Sequence, residues 1–356
     1  MAELPYHEQI NIANTEKLRE LLKPLPPFVK TYFRGIEPQT SSRTRIAYAY
    51  DLHIFFEFLQ RENPVIQKLN LQDITLSHLE QLTPVDISDY LEFVKYYRSE
   101  DDQGHINGER GQRRKLASLR SFYNYLYKNQ MIESNPAALV DMPKLHEKNI
   151  VRLDVDEIAV LLDEVEQGDK LTKRQQAYHA RTKVRDLALM TLLLGTGIRV
   201  SECVGLNIQD VDFRNAGIKI YRKGGKEMIV YFGEEVEEAL SCYLEERKHM
   251  IAEEGSTDAL FLSLQNKRIS VRSVENLVKK YAQTVTTLKH ITPHKLRSTY
   301  GTNLYQETND IYLVADVLGH SDVNTTRKHY AAMDDYQRRR ARTAVRLREK
   351  LPDSED

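Results

Sequence analysis

Only one run of this chain reads as strand: AGIKIYRKGGKEMIVYF, residues 216–232, where two β-prone arms flank KGGK. Those glycines supply the positive-φ residues that a tight hairpin needs. One hairpin closes neither a barrel nor a sandwich. Elsewhere the apolar residues recur at helical spacing rather than in alternation. The expected class is therefore mainly α, helices packed on helices with one small antiparallel β-sheet.

The 356 residues suggest two domains. Residues 1–25 are polar and end in KPLPPF, so they read as an N-terminal leader with a Pro-rich boundary. Residues 26–145 read as four or five helices with no strand. SSRTRIAYAYDLHIFFEFL opens on Ser/Thr caps and sets Ile46, Tyr50, Ile54 and Phe58 four apart on one stripe. GQRRKLASLRSFYNYLYKNQ is a basic amphipathic helix with Leu116, Leu119, Phe122 and Leu126 facing inward. ESNPAALVDMPKL closes the module with Asn-Pro and Met-Pro turns. Residues 146–150 read as a linker, 151–335 as a larger, mostly α domain holding the hairpin, and 336–356 as a basic tail.

Composition bounds the partners. Hydrophobic residues make up 41% and charged residues 29%, a soluble globular balance. No apolar run reaches ~18 residues, so no membrane span is expected. MAELPYHEQINIANTEK lacks the pattern of a signal peptide. Cys203 and Cys242 lie far apart and outside any CxxC. They are expected as two buried small residues in a reducing cytosol, not as a disulfide or a thiolate zinc site. The net charge of −1 does not favour nucleic acid, but the charge is segregated. Basic clusters stand at SSRTR, GQRRK, KLTKRQQAYHARTKVR and RRRARTAVRLREK, and acidic ones at DEVEQGD, GEEVEEAL and DSED. Segregation can give a neutral protein one positive face, although each cluster alone also reads as a solvated helix surface.

Four stretches carry residues suited to phosphate. In TPHKLRSTYGT, Thr292 can cap a helix and Pro293 suits its first position. His294 and Arg297 then share a face near the positive helix end. In GTGIRVSECVGL a glycine stop precedes Arg199, and Glu202 either orients that arginine or simply pairs with it. Lys223 stands at the hairpin turn with Lys226 beside it; a lysine there either protonates a leaving oxygen or serves solubility. In VLGHSDVNTTRKHYAAM, Gly319 ends a helix and leaves His320 just past it. Tyr330 then reads either as a nucleophile beside an imidazole or as a core tyrosine.

Taken in order, Arg199, Lys223, His294, Arg297, His320 and Tyr330 form a set that resembles the tyrosine recombinases, the phage-integrase family. The contexts TGIRVSE, HKLRSTYGTNL and VLGHSDVNTT are similar too. The N-terminal YAYDLHIFFEFL and KLASLRSFYNYLYKNQMIESNPA resemble the family's core-DNA-binding domain, an all-α, SAM-like module. The resemblance runs from about residue 28 to 335 and is strongest to the Xer branch, of the type that acts as a single protein.

The resemblance implies a two-domain clamp on double-stranded DNA and a 3′-phosphotyrosyl intermediate. It implies no metal, ATP or other cofactor. Tyr330 is expected as nucleophile, Arg199 and Arg297 on the non-bridging oxygens, and Lys223 as general acid. His294 is expected to assist proton transfer and His320 to bind phosphate. The expected DNA contacts are Arg43, Arg45, Arg113, Arg114, Lys115, Arg120 and Lys226. The expected role is resolving chromosome dimers at a dif-like site, as a homotetramer with two protomers per site, under the FtsK translocase, in the cytoplasm. A phage or mobile-element integrase of the same chemistry, or a type IB topoisomerase-like enzyme, stays open. Residues 167–183 lengthen the connection before VRDLALM and read as an added basic DNA contact or a surface loop. The basic tail resembles one that docks on a neighbouring protomer.

Overall fold

The computed structural model describes residues 4–99, 101–146, 151–222, 225–320, 322, 323 and 326. The chain divides into two compact units, Met1–Lys148 and Asn149–Asp356.

The first unit is built from α1 (Tyr6–Leu21), α2 (Pro27–Ile36), α3 (Ser42–Glu62), α4 (Leu76–Glu80) and α5 (Pro84–Phe93). A short hairpin, β1 (Tyr96–Arg98) and β2 (Gly104–Ile106), leads to α6 (Glu109–Lys128) and α7 (Pro136–Leu139). Local chemistry sets the boundaries. The Ser41 hydroxyl accepts the Thr44 N–H at the start of α3. Thr83 and Asp86 form a reciprocal capping box ahead of α5, whose first residue is Pro84. The core is aromatic: Tyr32, Phe55, Phe56, Tyr90, Phe122 and Tyr123 are fully buried. Tyr32 and Phe122 meet edge-on at 5.2 Å, as do Phe55 and Tyr90. Each such pair adds ~0.5–1.5 kcal/mol beyond its buried area.

Three features of this unit depart from the sequence reading. Most of the polar leader is helix α1, which packs on α3 and buries Leu18, with Leu22 and Leu25 buried after it. Residues four apart drift by ~40° per step, so the Ile46–Phe58 stripe winds around α3. Tyr50 is 44% exposed, Ile46 and Ile54 are half-buried against the core, and Phe58 is buried with Leu52, Phe55, Phe56 and Leu59. Finally, β1 and β2 pair antiparallel from Tyr96↔Ile106 to Arg98↔Gly104. Three-residue strands with exposed ends leave too little alternation to read. Leu116, Leu119, Phe122 and Leu126 are buried on α6 as expected.

The second unit comprises α8 (Val155–Gln167), α9 (Lys173–Thr196), α10 (Val200–Gly205), the strands β3 (Val211–Asp212), β4 (Gly217–Tyr221) and β5 (Glu227–Tyr231), then α11 (Glu234–Lys248), α12 (Val271–Val285), α13 (Pro293–Thr308) and α14 (Ile311–Leu318). Helix α9 is the central rod, packing against α8, α11 and α13. Its buried face includes Leu189, Met190, Leu192 and Leu193. The expected hairpin is β4–β5, in register from Gly217↔Tyr231 to Tyr221↔Glu227, and β3 adds a third antiparallel strand.

The 167–183 stretch is a loop only at residues 168–172, and it is not wholly surface. Thr172 and Gln175 form a capping box, and α9 begins at Lys173. His179 is buried there with its Nε2 2.8 Å from the Val165 carbonyl, while Lys173, Arg174, Arg181 and Lys183 are exposed. Of the cysteines, Cys203 is buried as expected, but Cys242 is exposed on α11. Among the described residues no helix is long and apolar enough to cross a membrane.

Candidate active site

Three of the candidate residues, Arg199, Arg297 and His320, meet at the C-terminal end of α14. That end is sharp because Gly319 adopts φ +62°, a left-handed stop, and the His320 N–H returns to the Ala315 carbonyl at 2.9 Å. A helix leaves its last carbonyls without intrahelical partners and carries partial negative charge there. Here arginines take those carbonyls. Arg297 donates to the Leu318 carbonyl and to that of Gly197. Arg199 reaches the Gly319 carbonyl at 3.4 Å.

Each arginine is held by its own local geometry. Arg199 follows the left-handed Gly197, φ +62°, and stands at the N-cap of α10. A Cβ on Gly197 would run into the Tyr300 ring and the Leu318 side chain, so glycine lets the turn close against α13 and α14. The carboxylate of Glu202 accepts the Arg199 backbone N–H at 2.7 Å and its Nη1 at 2.9 Å. Glu202 therefore orients the guanidinium as well as pairing with it. The Arg199 side chain is 39% exposed and Glu202 only 4%, so the positive end of the pair faces outward.

Arg297 is buried on α13, and His294, three residues earlier on the first turn, is exposed. The pair thus runs from floor to mouth of one helix face. Pro293 is the first residue of α13 as expected. Thr292 occupies the N-cap, but its hydroxyl makes no capping hydrogen bond. His320 is half-buried and its Nδ1 lies 2.7 Å from the hydroxyl of Thr326, which is buried. A hydroxyl on Nδ1 fixes the ring and turns Nε2 to the opposite side. Lys223 and Tyr330 lie outside the described residues, as does the 336–356 tail.

One residue missed by motif reading is Arg222, the last residue before Lys223. Its Nη2 donates to the Val317 carbonyl at 2.6 Å, and its Nη1 lies 3.4 Å from that of Asp316. Burial lowers its pKa first, and the nearby Arg199 adds to this, while Glu202 and Asp316 oppose. No side-chain motif marks it in the sequence, because its partners are backbone carbonyls.

The expected DNA contacts divide by burial. Arg45 is buried, its guanidinium 3.1 Å from Glu37 and bonded to the Glu37 carbonyl. Lys115 is buried 3.2 Å from Asp51, which also takes Arg114. Arg120 donates to the Ala137 carbonyl at 3.0 Å and to that of Val140, anchoring α7. Arg45 and Lys115 are thus buried and Arg120 half-buried, each engaged by carboxylates or carbonyls of the first unit. Helix periodicity places them on a basic run, and that run wraps onto the packed face. Arg43, Arg113 and Lys226 are exposed. Arg114 is 47% exposed while bound to Asp51.

Residues 152–337 match the phage integrase family. The chain is 36% identical over 330 residues to the tyrosine recombinase XerC of Caldanaerobacter subterraneus subsp. tengcongensis, covering 89% of this chain and 86% of the relative. It is 28% identical over 298 residues to the tyrosine recombinase XerD of Staphylococcus epidermidis, covering 83% and 89%. Among solved structures, its fold is similar to that of the Tn1549 transposon integrase (residues 82–397) in complex with circular intermediate DNA. The TM-score is 0.62 at 20% identity, over 88% of this chain and 98% of the other. It is also similar to the XerH site-specific recombinase bound to palindromic difH substrate, with a TM-score of 0.60 at 19% identity, over 85% and 79%.

Proposed function

The chain belongs to the phage integrase family and is a tyrosine recombinase, an enzyme that cuts and rejoins DNA; on that footing we propose that Tyr330 is its nucleophile at a specific target site. The Tyr330 hydroxyl attacks the scissile phosphorus and forms a 3′-phosphotyrosine as the bond to the 5′ oxygen breaks. Lys223 gives its proton to that leaving oxygen. Arg199 and Arg297 hold the non-bridging oxygens, where charge builds in the transition state, and His320 adds a further donor. His294, at the mouth of the same helix face, assists proton transfer from the tyrosine. The 5′-hydroxyl of a partner strand then attacks the phosphotyrosine and frees Tyr330. One phosphodiester is exchanged for another through a Holliday junction, so no ATP is consumed.

The observation that carries this reading is the convergence of Arg297 and His320 on one end of α14 with Arg199, which lies about a hundred residues earlier in the chain. The Xer relatives further support resolution of chromosome dimers at a dif-like site. In this reading a homotetramer assembles on duplex DNA, two protomers per site, with FtsK as regulator. The exposed Arg43, Arg113 and Lys226 contribute phosphate contacts.

A duplex nicked beside the scissile phosphate tests the chemistry, because the cut fragment diffuses away and leaves the covalent complex. Wild type accumulates that complex and Tyr330→Phe does not; a trapped complex in the variant refutes the nucleophile. Arg297→Gln slows cleavage by ~10²–10³, the usual cost of one preorganised donor. Supercoil relaxation without joining of two sites would replace the recombinase role with a topoisomerase one.

A further inference from the structure

We propose that Arg222 is a positioning residue that ties the turn of the β4–β5 hairpin to the end of α14 and so fixes the His320 imidazole. The inference rests on the reading of His320 given above.

Four carbonyls in succession close α14, and three arginines take them. Arg222 holds those of Asp316 and Val317, Arg297 that of Leu318, and Arg199 that of Gly319. Two of these arginines belong to the proposed phosphate site. Arg222 holds the carbonyls nearest the helix body, directly beneath the turn that presents His320.

The hold on Arg222 is two-sided. Its own N–H donates to the Lys226 carbonyl at 2.9 Å, and its carbonyl accepts the Gly225 N–H at 3.0 Å. The hairpin turn therefore fixes the Arg222 backbone while the guanidinium grips α14. Gly319 leaves the room: a Cβ there would fall on the Arg222 guanidinium. So Gly319 has two reasons to be glycine, its φ of +62° and this close approach. The buried Arg222 Nε has no hydrogen-bond partner among the described residues. Leaving a buried donor unmade is costly, so a site evolved only for stability would favour a simpler contact.

The rival role is a third direct phosphate ligand. Each phosphate-binding cation steepens the salt dependence of DNA affinity by about one unit of log–log slope. A positioning residue leaves that slope alone.

The test uses Arg222→Gln and Arg222→Lys in the full chain, with Arg214→Gln, an exposed arginine outside the site, as control. Thermal melts identify any variant that fails to fold, and Arg222→Lys keeps a donor for the Val317 carbonyl. Arg222→Gln should slow single-turnover cleavage of the nicked duplex by ~10-fold or more, with affinity and salt slope as in wild type. In a His320→Ala background the same change should cost less than ~2-fold, because residues acting through one another are non-additive. Arg222→Lys should recover part of the rate. The DNA-free protein gives an independent readout: the His320 ring resonances should move in Arg222→Gln and stay in Arg214→Gln. A salt slope lower by about one, an undiminished cost in the His320→Ala background, or unmoved ring resonances would each overturn the proposal. If wild type formed no covalent complex, the reading of the site would fail while the ring resonances still judged the positioning.

Discussion

At the scale of single residues, the glycines decide more than their size suggests. Gly197 holds a left-handed turn and admits the Tyr300 ring where a Cβ would stand. Gly197→Ala therefore combines backbone strain with a collision. It should cost at least ~1 kcal/mol of stability in denaturant melts, and reduce cleavage by displacing Arg199. The six proposed catalytic side chains were legible as an ordered set, since each motif keeps its residues within one turn or one loop. Arg222 was not, because its partners are backbone carbonyls, which carry no side-chain signature. The burial of Arg45 and Lys115 was equally hidden: a basic letter in a helix does not say which face it takes. The cysteines make a cleaner residue-scale test. A thiol reagent should modify Cys242 in the native chain and both cysteines once denatured, since burial encloses Cys203 and raises its pKa.

At the scale of elements, polar pins set how helices pair. In the first unit α6 is fixed to α3 where buried Asp51 meets Lys115 and Arg114. Burial raises the Asp51 pKa and lowers that of Lys115, and the attraction between them opposes both shifts. Lys115→Met leaves Asp51 with a half-exposed arginine as its remaining cation. It should destabilise the chain by ~3 kcal/mol, read as a lowered urea midpoint at unchanged slope. In the second unit, buried Asp186 on α9 accepts from Arg185, Thr182 and Tyr281, with Lys280 at 3.4 Å, joining α9 to α12. Helix type and order could be read because caps and apolar spacing agree along most of the chain. The strands β1, β2 and β3 escaped because two or three residues give no alternation to count. The start of α9 escaped because KRQQAYHA is polar on the faces that periodicity weighs, although Thr172 and Gln175 already marked its cap.

At the scale of the whole molecule, the aromatic core of the first unit is complete within itself, including the Leu18, Leu22 and Leu25 contributed by α1 and the residues after it. A fragment of residues 1–146 should therefore fold alone, giving helical circular dichroism and a cooperative melt. Removing residues 1–25 from that fragment should lower its midpoint, whereas an unchanged midpoint would restore the leader reading. The second unit obeys a different logic, because its site is gathered from distant stretches that share one acceptor. Arg199, Arg222 and Arg297 all precede the carbonyls of residues 316–319 that seat them. Synthesis runs in the same direction. A nascent chain complete to residue 310 already has all three guanidiniums but not the helix end that gathers them, so an unfinished chain cannot assemble this site.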